Sequence, residues 1–355
     1  MRAMVMDAVG KPLEVREVAE PVAPAGGVVV TVRATGLCRS DWHAWVGHEQ
    51  LELPHIPGHE LAGVVDAVGE GVTAWRVGDR VTVPFVCGCG QCEWCLRGDA
   101  QVCPNQEQPG FTHHGSFAER VALHAADTNL VRIPDSVSFD AAAALGCRFA
   151  TAFRAVDVRA RLLPGEWLAV VGAGGVGLSA IMIARALGAR VIAVDRNPGA
   201  LEAAAALGAE HTVLAVGNDG IPVADRVHEL TDGGAHVSVD AVGSEQTSSD
   251  SILSLRRRGR HVQVGLLPSE SGLSAIPMAR AIAWELDILG SHGMAAVDYP
   301  PMLALIERGA LRPQDLITAT ISLEEAAERL TFMDRSTAVG ITMIDPPAGR
   351  PSRSA

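Results

Sequence analysis

The apolar positions change rhythm along the chain. Up to about residue 150 they come in short Val/Thr-rich runs cut by glycine: Val28–Arg33, Gly63–Val68 and Arg80–Val83. Such runs between turn residues predict a compact β-rich unit. From about 151 to 285 short apolar runs alternate with helical periodicity. Trp167–Val171 and Val191–Asp195 read as buried parallel strands, and Leu178–Leu187 and the alanine-rich Ala200–Leu207 as helices. Val237–Val242 and His261–Leu266 continue the series. Strands separated by helices predict a parallel sheet covered on both faces. From about 286, Tyr299–Glu307 and Leu323–Leu330 read as helices and Val339–Ile344 as a strand, before a polar tail, 346–355, expected to be disordered.

At roughly 150 residues per domain, 355 residues suggest two domains. The composition, 48% hydrophobic and 20% charged, is that of a globular chain. A net charge of −12 argues against a nucleic-acid surface. The first residues carry no long apolar run, so no secretory signal is expected. Leu168–Val194, the most apolar stretch, is broken by glycines, Arg185 and Arg190, which argues against a membrane span. The expected compartment is therefore the cytoplasm, where clustered thiols read first as metal ligands.

Five of the seven cysteines fall between Cys87 and Cys103. Cys89, Cys92 and Cys95 make two successive C-x2-C steps, and Cys103 follows. That rhythm suits a closed tetrahedral thiolate site for a structural zinc, with Cys87 a spare thiol nearby. Arg97 is the only basic residue between Cys87 and Cys103, which weakens a nucleic-acid-binding zinc ribbon. Two other motifs, Cys38-Arg39-Ser40-Asp41-Trp42-His43 and Gly58-His59-Glu60, are weak singly. With Cys147 they could supply two thiolates and an imidazole, a catalytic-zinc donor set that leaves a position open. Spacing alone does not bring these residues together.

Gly172-Ala173-Gly174-Gly175-Val176-Gly177 follows a predicted strand and opens a predicted helix, and Asp195 ends the next strand. In that context the glycines form a dinucleotide-binding turn. Gly172 permits the turn, Gly174 lets the backbone approach a pyrophosphate, and Gly177 allows close helix–strand packing. Asp195 favours NAD by accepting from ribose hydroxyls, although neighbouring Arg196 could accommodate a 2′-phosphate.

Taken in order, these motifs, together with Gly146-Cys147 and Gly290-Ser291, resemble those of the zinc-dependent medium-chain alcohol dehydrogenases over nearly the whole chain, to about residue 345. The resemblance implies an α/β chain. A GroES-like catalytic domain, 1–150 completed by 286–345, would carry an inserted doubly wound Rossmann domain, 151–285, with the cofactor in the cleft. It implies two zinc ions per chain: a catalytic one on Cys38, His59 and Cys147, and a structural one on Cys89, Cys92, Cys95 and Cys103. Glu60 is similar to an acid that approaches the metal, and Asp41 to the carboxylate that orients His59. Ser40 resembles the hydroxyl beside the substrate oxygen, and His43 the base that passes the proton outward. Gly172, Gly174, Gly175, Gly177, Asp195 and Arg39 match NAD-binding positions. Trp45 and Phe85 match residues that narrow the substrate pocket. The family often places Arg after the glycine of its last strand; here Ile341 follows Gly340.

The activity implied is reversible hydride transfer between a small primary or secondary alcohol and NAD, giving an aldehyde or ketone, in a homo-oligomer (dimer or tetramer). A polyol, threonine or formaldehyde as substrate is the alternative within the fold. A non-enzymatic binding or structural member is the alternative outside it, and the presence of Ser40, His43 and all three candidate ligands argues against it.

Overall fold

The computed structural model describes residues 1–215, 220–267, 273–335 and 338–346. Apart from Pro346, the expected tail lies outside these. The chain divides into two compact units, one formed by Met1–Ala150 with Gly293–Ala355, the other by Thr151–His292.

The first unit is β-rich. In chain order it holds β1 (Arg2–Val5), β2 (Glu14–Glu17), β3 (Val28–Leu37), β4 (Glu60–Val68), β5 (Arg80–Thr82), β6 (Arg120–Leu123) and β7 (Val131–Arg132). β1 and β2 make a separate antiparallel pair. β3 is the backbone of the main sheet. Its central position explains why almost every residue in it is buried. It pairs antiparallel with β4 along nearly its whole length, and with β6 over Val28–Thr31. Beneath it, Val30, Val32, Leu61, Val65, Val81 and Val121 build one apolar core.

The second unit is a six-stranded, all-parallel sheet. Its strands are β8 (Trp167–Val171), β9 (Arg190–Asp195), β10 (His211–Leu214), β11 (Ala235–Asp240), β12 (Leu255–Gln263) and β13 (Asp287–Gly290). The spatial order β10-β9-β8-β11-β12-β13 is the doubly wound order expected, with its reversal between β8 and β11. β8 is buried throughout. Alternate residues Trp167, Ala169 and Val171 meet Ile192, Val194 and Val213 on one face, as period-2 geometry requires. The helix Gly175–Ala186 is buried from Gly177 to Ala184.

Among the elements whose bounds differ from expectation, two have a clear physical cause. The helix expected at Ala200 begins at Pro198, because the Asn197 side chain accepts from the Gly199 N–H and Pro198 takes the first turn. β12 begins at Leu255 rather than His261 and runs through the exposed Arg256–Arg258. Backbone pairing to β11 from Ala235 onward decides this, with a bulge between Ala235 and Val237.

The last two strands, β14 (Ile317–Ile321) and β15 (Ile341–Ile344), belong to the first unit. β15 pairs antiparallel with β3, Thr342 opposite Leu37, and β14 lies outside it. Ile341 is fully buried in this strand. Among the described residues no helix is long and apolar enough to cross a membrane.

Candidate active site

Cys38 ends β3's run and begins a short helix, Arg39–Trp45. Asp41 sits in its first turn, buried, and uses both carboxylate oxygens. Oδ2 accepts from the Cys38 backbone N–H at 2.9 Å, and Oδ1 lies 2.9 Å from His59 Nδ1. One side chain thus fixes the Cys38 backbone and the His59 ring together. His59 precedes β4, after Gly58, whose φ of +103° and contact with Phe117 leave no room for a Cβ. Cys147 arrives on a π-helical turn, Leu145–Phe149. The carbonyl of Gly146 there accepts from the Phe85 N–H at 3.0 Å.

Cys38, His59, Glu60 and Cys147 each bring one donor atom within 4.8 Å of the others. With Nδ1 turned to Asp41, His59 Nε2 is buried and has no hydrogen-bond partner. Two sulfurs and an orphaned imidazole nitrogen fit zinc, and the Asp41–His59 contact is the usual support for a metal-bound ring. Without an ion the three donors share protons among themselves. Cys38 is held well below the ordinary thiol value, first by a hydrogen bond from Cys147 and then by Arg148 and His59. Cys147 is raised, first through that same bond and then by burial. Burial opposes protonation of His59, but the charge and hydrogen bond of Asp41 outweigh it.

Glu60 is engaged elsewhere. Its Oε1 accepts from Arg148 Nε at 2.9 Å and from the Arg148 backbone N–H at 3.2 Å, and Oε2 pairs with Arg148 Nη2. Burial raises its pKa against the pull of Arg148. Gly36, on β3, leaves the space this pair occupies; a Cβ there would collide with the Glu60 carboxylate.

Ser40 Oγ lies 3.9 Å from Cys38 Sγ. His43 Nδ1 lies 2.9 Å from His48 Nδ1, with the rings stacked. One of the two nitrogens must donate and the other accept. Burial lowers the His43 pKa, and His48 and Arg39 lower it further. Arg39 lies over the Trp42 ring. Trp45 donates its indole N–H to the Lys11 carbonyl at 2.7 Å and packs on the core around Met4 and Met6. The Phe85 ring stands edge-on to His59, centroids 6.2 Å apart.

The four-cysteine lobe is a separate place. Cys89, Cys92, Cys95 and Cys103 meet within 4.8 Å. Cys92 Sγ is 3.5 Å from Cys95 Sγ and 3.6 Å from Cys103 Sγ. A tetrahedron of Zn–S bonds has sulfur edges of about 3.8 Å, so the lobe fits zinc. Backbone N–H groups of Gln91 and Cys92 lower the Cys89 pKa to about 6. Cys87 faces away: its Sγ approaches the Pro84 carbonyl, and burial pushes its pKa far up. Buried Asn129 ties down the lobe's entry by pairing with both backbone groups of Gly88.

In the second unit the glycine turn follows β8 at the sheet's reversal. Gly172 has φ +94°. A Cβ on Gly177 would run into the Gly172 carbonyl, whereas one on Gly174 would meet nothing within 4 Å. Gly174 caps the helix Gly175–Ala186, and no side-chain hydrogen bond closes its end. Free space over uncapped N–H groups fits a pyrophosphate. Asp195 accepts from the N–H groups of Ala173 at 2.6 Å and Asn197 at 2.8 Å, so it also braces the turn.

Comparison with known proteins agrees with this arrangement. Residues 24–135 match the alcohol dehydrogenase GroES-like domain, and residues 175–308 match the zinc-binding dehydrogenase domain. An alcohol dehydrogenase of Geobacillus stearothermophilus is 38% identical over 82% of this chain and 84% of its own. The chain belongs to the zinc-dependent alcohol dehydrogenases. An NAD-dependent alcohol dehydrogenase of Sulfurisphaera tokodaii is 34% identical over 98% of this chain and all of its own. Among solved structures, an alcohol dehydrogenase from Thermus sp. ATN1 superposes with a TM-score of 0.89 at 31% identity, covering 98% of this chain and all of that one.

Within this alcohol dehydrogenase fold, four residues matter that the motifs do not single out. Arg148 neutralises Glu60, His48 partners His43, Gly36 houses the Glu60–Arg148 pair, and Asn129 anchors the cysteine lobe. Arg148 adjoins Cys147 and His48 lies near His43, so a search of each motif's flanks for polar residues would have raised those two. Nothing local marks Gly36 or Asn129.

Proposed function

We propose that this protein catalyses reversible oxidation of small primary or secondary alcohols to aldehydes or ketones with NAD. The observation that carries the reading is the cluster Cys38, His59 and Cys147 with the buried, unpartnered His59 Nε2. Zinc held by these three residues supplies Lewis acidity to a substrate hydroxyl, and NAD held on the glycine turn supplies the hydride acceptor. The chain's own residues do the rest. Asp41 holds the His59 ring so that Nε2 is the donor presented. Ser40, beside Cys38, takes up the hydroxyl proton. His43, kept neutral by burial, receives it and passes it outward through His48. Arg148 keeps Glu60 paired and charge-balanced beside the thiolates. Phe85 and Trp45 limit substrate size.

In this reading the first unit, Met1–Ala150 with Gly293–Ala355, is the catalytic domain, and the second, Thr151–His292, is the NAD-binding domain; the boundary expected at 286 lies later because β13 pairs with β12. Each chain carries two zinc ions, the second on the four-cysteine lobe. The protein works in the cytoplasm as a homo-oligomer. All seven cysteines are free, in keeping with a reducing compartment. The open outer edge of β13, which carries exposed Ile288, offers a surface for a second copy. The acidic net charge speaks against nucleic acid as a partner.

The test is NADH formation across primary, secondary, aromatic and polyhydroxy alcohols, with threonine and formaldehyde included, each with and without a zinc chelator. Chelator-sensitive turnover of simple alcohols is expected. Preference for a polyol, threonine or formaldehyde would replace the substrate class. No turnover of any compound by folded, zinc-loaded protein would overturn the reading.

A further inference from the structure

Away from the sites above, two imidazoles and a carboxylate converge. Glu107, His113 and His124 each offer a donor atom within 4.8 Å of the other two. Their backbones are held by separate constraints. Glu107 exchanges both backbone hydrogen bonds with Cys87, each at 2.8 Å. The His113 carbonyl accepts from the Gly110 N–H at 2.9 Å. His124 directly follows β6.

The side chains are arranged as ligands rather than as a simple ion pair. Glu107 Oε2 lies 2.6 Å from His124 Nδ1. That contact accounts for two of the residues. It does not account for the second imidazole, whose ring centroid lies 4.9 Å from that of His124. His113 Nδ1 lies 3.0 Å from the His114 carbonyl and must donate there, which places its lone pair on Nε2. An imidazole whose other N–H is tied to a backbone carbonyl is the usual form of a metal-binding histidine. All three residues are half-buried, so water can complete a coordination shell. His113 and His124 also line a groove of about 480 Å³ with Pro54, Ile56 and Arg120, which gives an ion a path in.

We propose that Glu107, His113 and His124 form an additional metal site that takes a divalent first-row transition ion. Nitrogen donors with one carboxylate select zinc, nickel or copper over calcium or magnesium, and the absence of thiolate distinguishes the site from both cysteine clusters. A bound ion joins the strand segment that leaves the cysteine lobe to the end of β6. It acts as a staple in the first unit, and its role is stability rather than turnover.

Co2+ is the probe, added to the protein that carries its tightly bound zinc. Calorimetry is expected to show one further Co2+ per chain. The absorption should show only weak visible bands, without the near-ultraviolet band of thiolate-bound cobalt. Added Co2+ should also raise the melting temperature. In Glu107→Gln, His113→Asn and His124→Ala the affinity should fall by about tenfold or more, and the melting shift should vanish. Alcohol turnover and circular dichroism should be unchanged in all three, and one well-folded variant suffices for the comparison. Absence of Co2+ binding below millimolar concentration, equal affinity in a folded variant, or a thiolate band would each overturn the proposal.

Discussion

His59 has one ring nitrogen committed to Asp41 and one left without a partner, and the chemistry of the site turns on that division. Asp41→Asn should weaken zinc retention by about 10- to 100-fold while the fold survives, read as metal content after competition with a chelator. A second prediction concerns protons. His43 must be neutral to accept one, and burial, His48 and Arg39 all favour its neutral form. His48→Ala removes one of those influences and opens the ring to water, so the His43 pKa rises. Activity should then fade at a higher pH on the acidic side than in the parent, while the alkaline side is unmoved. An unshifted acidic limb would show that His48 does not tune His43. Arg148→Ala should cost about 3–5 kcal/mol in chemical denaturation, because it leaves the buried Glu60 carboxylate without its partner. Cys38 and His59 could be nominated from their motifs; Arg148, although it adjoins Cys147, carries no signal that names its partner. Its partner Glu60 stands in a distant segment, and only the sheet brings the two together.

At the scale of elements, the turn between β8 and its helix separates two uses of glycine. Gly177 is needed by the protein itself, since a Cβ there strikes the Gly172 carbonyl. Gly174 faces open space with an ordinary φ of −81°. Gly174→Ala should therefore change folding stability by no more than about 1 kcal/mol, the scale of a helix-cap substitution. It should nonetheless raise the Kd for NAD severalfold or more, measured by fluorescence titration. Equal loss of stability and binding would mean that the position serves the fold. Elements with a strong period of their own were legible in the amino-acid pattern: β8, β9 and the helices Tyr299–Glu307 and Leu323–Thr331. The start of β12 was not. Arg256–Arg258 carry no strand signal, and their pairing is imposed by β11.

At the scale of the whole molecule, alternating strands and helices foretold a doubly wound sheet, and β-rich texture foretold the other unit. The meeting of Cys38, His59 and Cys147 was not readable from spacing. It depends on a strand end, a loop and a π-helical turn that share no local signal. The cysteine lobe behaves oppositely, since its ligands are close in sequence. Cys95→Ser should accordingly lower the melting temperature and the zinc content by one ion per chain, while the remaining folded protein keeps its pH profile.

The pairing of β15 with β3 has a consequence for how the protein is made. The end of β3 that leads into Cys38, Thr35–Leu37, takes its outer neighbour from Thr342–Ile344. On the ribosome, that flank stays bare while some three hundred intervening residues are synthesised, long after the parallel sheet of the second unit has all its strands. The order of birth is thus the reverse of the order of completion. The earlier strand must wait for the later one, and a nascent chain stalled before Gly340 would display an unpaired strand edge beside its reactive thiol.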